Sequence, residues 1–287
     1  MSKRFFALAP LLAMASAGLA HEFWLQPARF RLTPGDAVNV RPLVGKNFQG
    51  APWGNRASKI LAFARYGPAP ADSTNLAPTP GGALADTFRT AVAFARPGTH
   101  LVVLRSNLAF TELPAEQFTA YLREEGLELA LHRRQERGQQ AQPGREAYRR
   151  CAKALVQAGA LAPAADTAYR RVLGLPLELV PEQNPYRLAA DKALTVRVLR
   201  GGRPAFGAAV QVWQRQPSGL PTTHYTTRAN QSGRVLLRLS GPGPYLLATV
   251  DMHPAPLSLR ERTDWQSVWA SLTFAGPPAT LRPPIKH

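Results

Sequence analysis

The chain has 287 residues, 45% of them hydrophobic, enough to bury the core of one large or two ordinary domains. Its formal net charge is +17, but the excess is mostly arginine scattered along the whole length. No nucleic-acid motif and no interleaving of aromatic with basic residues accompanies that charge, which sets nucleic-acid binding aside. A single cysteine, Cys151, excludes an internal disulfide framework, so the fold must stand on packing alone.

The first twenty residues carry Lys3 and Arg4, an apolar run from Phe5 to Ala17 and then small residues, the layout of a secretory signal peptide over 1–20. The run is shorter than the about 20 apolar residues of a membrane span, and no second one follows. The mature chain is therefore expected to be periplasmic or secreted and not transmembrane. Small residues one and three positions before the cut suit cleavage after Ala17 or after Ala20, and Ala20 is preferred. That cut makes His21 the first residue, so one residue carries both a free α-amino group and an imidazole. With pKa values of about 7.7–8.0 and 6.5, the two nitrogens meet little proton competition at neutral pH. Such a pair suits copper, nickel and cobalt.

Over 21–112 the patterning predicts a β-sandwich. "DAVNVRPLVG" alternates apolar and polar residues, "ASKILAFARYG" and "FRTAVAFARPG" are short apolar runs stopped by Gly or Pro, and "GTHLVVLRS" ends the set. "GPAPADSTNLAPTPGG" reads as a loop. Over 113–174 a helical insertion is expected. "LPAEQFTAYLREEGLELAL" opens on Pro114 with Phe118, Tyr121, Leu122 and Leu129 at helical spacing, and "REAYRRCAKALVQAG" places Tyr148, Cys151, Ala152, Leu155 and Val156 on one stripe. The polar "RRQERGQQAQPGR" between them is expected to be a solvated loop, and Cys151 an inert packing residue. From 175 to 287 strand patterning returns in "LELV", in a hairpin pair around Gly201-Gly202, in "TTHYTTRANQSGRVLLRLSGPGPYLLATVDMH" and in a closing "WQSVWASLTF". This part is organised like an Ig-like sandwich of the carboxypeptidase-regulatory or transthyretin-like kind.

Six segments in this order, "AHEFWLQP", "FTAYLREEGLE", "EAYRRCAKALVQAG", "LPLELVPEQNPY", "VRVLRGGRP" and "DWQSVWASLTF", resemble the bacterial DUF4198 family over nearly the whole mature chain. Its members are exported proteins often grouped with periplasmic components of nickel and cobalt uptake systems. The resemblance implies a mainly β chain with an N-terminal sandwich, a helical insertion and a C-terminal Ig-like sandwich. It also implies transition-metal handling, with components of a membrane metal transporter as partners, and makes the cut before His21 more plausible.

A first-row metal held by His21 needs further ligands, usually imidazole or carboxylate. His253 is the first candidate, sharing a strand face with Asp251 at i, i+2 spacing, and His224 in "PTTHYTT" is the second. His100 at the start of "HLVV" reads as a half-buried structural residue. His132, one turn after Glu128, reads as part of a solvated face, and His287 is terminal. Phe23 and Trp24 read as core anchors. No nucleophile set, P-loop, CxxC pair or dinucleotide loop is present, so the chain is not expected to be an enzyme. The function expected is a periplasmic accessory protein binding nickel, cobalt or copper through its amino-terminal histidine. Two alternatives stand beside it: a non-catalytic tandem of β-sandwich modules binding a protein or polysaccharide, and a copper oxidase of the histidine-brace type.

Overall fold

The computed structural model describes residues 22–54, 57–77, 90–160, 166–189, 192–216 and 222–278. The expected leader, His21 and His287 lie outside the described residues. In chain order the first strands are β1 (Glu22–Pro27), β2 (Arg31–Leu32), β3 (Ala37–Lys46), β4 (Gln49–Pro52), β5 (Ile60–Tyr66), β6 (Ser73–Asn75), β7 (Ala91–Ala93), β8 (Gly98–Ser106) and β9 (Ala109–Leu113). Two helices follow, α1 (Ala115–Glu124) and α2 (Glu128–Glu136), and then β10 (Gly144–Ala158). The remainder is β11 (Leu177–Pro181), β12 (Ala193–Arg200), β13 (Arg203–Pro204), β14 (Ala209–Gln214), β15 (Thr223–Arg228), β16 (Arg234–Arg238), β17 (Pro244–Pro254) and β18 (Trp265–Ala275). The chain is mainly β, as its patterning predicts.

Two parts of the expected helical insertion are corrected. The stretch around Cys151, expected to be a helix, is the strand β10. Its flanks are paired on both sides: antiparallel to β9 and β8 on one edge, parallel to β18 over Glu146–Ala154 on the other. With both faces also covered, it shows no simple alternation, and an Ala-rich, fully buried strand imitates the apolar stripe of a helix. The first four residues of the expected loop, "RRQE", are the second half of α2. There Arg134 is buried, stacks on the Phe118 ring at 4.9 Å and donates to the carbonyls of Gln139 and Gln142 at 2.6 Å each.

Ten strands form one sheet in the order β15-β14-β17-β18-β10-β8-β5-β6, with β2 and β9 also on β10. It is flanked by two smaller sheets in a sandwich-like arrangement. On one face lie β1, β3, β4 and β7, whose Phe23, Leu25, Val40 and Val92 pack on Val102, Leu104, Ala152, Ala154 and Val156. On the other lie β11, β12, β13 and β16, whose Leu177, Leu179, Val196 and Leu237 pack on Cys151, Leu155, Val212, Leu247 and Leu272. Strand alternation divides β10 cleanly, since Ala152, Ala154 and Val156 serve the first core and Cys151 and Leu155 the second. The ten-stranded sheet draws on all three expected segments of the chain, with β10 at its centre.

Candidate functional site

The first described residue, Glu22, stands at the start of β1, directly after His21. Strand β1 is fixed over the large sheet by Thr273, whose Oγ1 donates to the Leu25 carbonyl at 2.7 Å. It is fixed also by Trp24, fully buried against Phe48, Trp213, Leu246 and Ala248. Phe23 and Trp24 are thus core residues. Trp24 can lie there because residue 50 is glycine: a Cβ at Gly50 would sit 2.6 Å from the indole.

Beside Glu22, β3 and β4 are joined by the two-residue turn Asn47-Phe48, both with positive φ (55° and 59°), as a primed hairpin turn requires. Asn adopts this conformation readily, whereas for Phe it is strained by roughly 1–3 kcal/mol. Packing holds it. The Phe48 ring is wholly buried edge-on to Trp24 at 5.5 Å, Arg215 covers it at 4.2 Å, and the same guanidinium donates to the Phe48 carbonyl at 2.7 Å. The strained turn brings the Asn47 backbone N–H to the Glu22 carboxylate.

Glu22 is 4% exposed, and its Oε2 has no hydrogen-bond partner among the described residues. Burial pushes its pKa up to about 7, with the nearby Glu124 carboxylate adding to the rise and the Asn47 N–H and Lys46 opposing it. Lys46 pairs with Glu124 at 2.6 Å. The next residue, Glu125, caps the C-terminal end of α1 and is itself buried. Its pKa is pushed up to about 8 by burial and then by the Glu22 carboxylate, against the stabilising Gln211 amide. Gln211 Nε2 donates to Glu125 Oε2 at 2.7 Å, and its Oε1 lies 3.1 Å from His224 Nε2. His224 pairs across β14 and β15 with Trp213 and stacks on that indole, centroids 4.8 Å apart and planes 14° apart. Burial on this side holds its pKa below the usual imidazole range.

The structure thus gathers Glu22, Glu125, Gln211 and His224 at one end of β1. Two buried carboxyls that resist ionisation, one of them with an unpartnered oxygen, suit a retained proton.

His253 and Asp251 are elsewhere. They do meet, His253 Nε2 lying 3.0 Å from Asp251 Oδ2, as their i, i+2 spacing predicts. Asp251 also accepts from Arg200 at 2.5 Å, and Asp251 and His253 line a cleft of about 300 Å³ with Arg149, Pro176, Gln266 and Val268. In the β14/β17 register Gln211 stands opposite Ala248, so both share a face. Asp251 and His253, an odd number of residues further along β17, point to the opposite face. One metal ion cannot be shared between them and His224. Among the described residues no group of three or more His, Cys, Asp or Glu forms a metal-binding cluster.

The remaining histidines have other roles. His100 is fully buried, its Nε2 donating to the Arg96 carbonyl at 2.8 Å while Nδ1 accepts from Arg65 at 3.1 Å, a structural residue. His132 is exposed and pairs with Glu136 at 3.1 Å.

Glu22, Glu125 and Gln211 are not singled out by sequence motifs. One signal was available: "REEG" puts two acids at a helix C-terminus, where the macrodipole disfavours negative charge. The DUF4198 family profile, described as a domain of unknown function, matches residues 18–252. No curated protein matches the chain.

Proposed function

The chain belongs to the DUF4198 family, and for this member we propose the role of a periplasmic accessory protein that binds nickel, cobalt or copper as cargo for a membrane transporter. In this reading cleavage after Ala20 frees His21. Its α-amino nitrogen and imidazole form the core of the site, and His224 supplies a further donor. The observation that carries it is the cluster at the start of β1. The residue directly after His21 has a buried carboxylate with an unpartnered oxygen close enough to Glu125 to raise its pKa, and Glu125 is joined through Gln211 to an exposed imidazole. His224 is preferred to His253 as the second imidazole because His253 lies across the sheet. Among the described residues no helix is long and apolar enough to cross a membrane, which accords with a peripheral role.

Calorimetric titration of Ni²⁺, Co²⁺ and Cu²⁺ into two preparations tests this role, one beginning at His21 and one with a single alanine placed before it. Tight one-to-one binding in the first and its loss in the second is the expected result. Equal binding, or none, in both sinks the proposal.

A further inference from the structure

We propose that Gln211 and Glu125 are positioning residues that hold the His224 imidazole with its proton on Nε2, so that Nδ1 is the nitrogen offered to a metal. This deepens the metal-binding reading and rests on it for the word metal; the tautomer itself does not.

The argument is one of donors and acceptors. A glutamine amide has a nitrogen that only donates and an oxygen that only accepts. Gln211 Nε2 donates to Glu125 Oε2 at 2.7 Å, and the ionised carboxylate there can only accept. The amide is thereby oriented with Oε1 toward His224, 3.1 Å from Nε2. An oxygen that only accepts needs a proton on the facing nitrogen, so neutral His224 is the Nε2–H tautomer and the lone pair resides on Nδ1.

Nδ1 makes no hydrogen bond among the described residues. The ring plane is set independently by the near-parallel stack on Trp213, itself immobilised at 1% exposure. Gln211 and Glu125 are also buried, at 7% exposure each, so water competes poorly for either hydrogen bond. An imidazole with a fixed plane and tautomer, backed by an acceptor that is itself held by a carboxyl, is the usual outer-shell arrangement around metal-ligating histidines. Here the amide is interposed between carboxyl and ring.

The test uses the chain beginning at His21 and long-range ¹H–¹⁵N NMR of its histidines without metal at pH 9, followed by Ni²⁺ titration of wild type, Gln211→Met and Glu125→Gln. Methionine fills the glutamine volume with only a weak thioether acceptor in place of the amide oxygen, and glutamine at 125 keeps an acceptor oxygen for Gln211. The expected result is an Nε2–H tautomer for His224 in wild type and Glu125→Gln, and a mixed population in Gln211→Met. Ni²⁺ affinity should fall about 10–100-fold in Gln211→Met and much less in Glu125→Gln. An Nδ1–H tautomer in wild type overturns the relay even if nickel binds tightly, and that measurement does not depend on the variants folding. An Nε2–H tautomer in a chain that binds no nickel overturns the ligating role while leaving the hydrogen-bond relay in place.

Discussion

Replacing Glu146 by glutamine should change the pH dependence of stability by a predictable amount. Glu146 on β10 is 3% exposed and accepts hydrogen bonds from the Tyr121 hydroxyl at 3.3 Å and from Ser267 Oγ. Burial outweighs these and pushes its pKa from 4.5 up to about 7. Below pH 4.5 the carboxyl is protonated in both folded and unfolded chains. Between 4.5 and about 7 the unfolded chain sheds the proton while the folded chain keeps it, so stability falls as pH rises, and above about 7 the loss is complete. At 1.36 kcal/mol per pKa unit the loss amounts to about 3 kcal/mol. Glutamine does not titrate, so the stability of Glu146→Gln relative to wild type should climb by about that amount between pH 4 and pH 8. Any fixed cost of the amide displaces this difference curve without changing its rise. Urea unfolding of both proteins across this range gives the curve. A flat difference, or one that falls with pH, refutes the reasoning.

Lys153 on β10 and Glu178 on β11 form an ion pair at 2.5 Å with both side chains essentially inaccessible. Lys153→Met should leave a buried carboxylate uncompensated and cost about 3–5 kcal/mol by denaturant unfolding, with Glu178→Gln in the same chain recovering part of it. A cost below about 1 kcal/mol would contradict the pairing. Cys151 is 2% exposed and burial pushes its thiol up to about 11, so the folded chain at pH 8 should resist an aromatic disulfide reagent that the urea-unfolded chain consumes rapidly. Prompt labelling of the folded chain would contradict the burial.

The strand half of the fold was legible because its strands are of the readable kind. β3 buries Val38, Val40 and Pro42 in strict alternation, and the hairpin at Gly201-Gly202 is marked by both glycines. β10 was not, because a strand paired on both edges and packed on both faces loses its period of two, and Ala-Lys-Ala-Leu-Val then resembles a helix. Of the candidate ligands, the contact of His253 with Asp251 was readable from local spacing. That His224 lies on the opposite face from them depends on the β14/β17 register, a long-range pairing that no local pattern encodes. The same holds for Glu22 and Glu125, separated by about a hundred residues and brought together only by tertiary packing.

The most direct test of the amino-terminal site is anomalous diffraction at the nickel edge from crystals of the chain beginning at His21 grown with Ni²⁺. The account predicts one strong peak beside the start of β1, bonded to the His21 nitrogens and to His224 Nδ1. A peak at Asp251 and His253 on the opposite face of the sheet, or none at the start of β1, would contradict it.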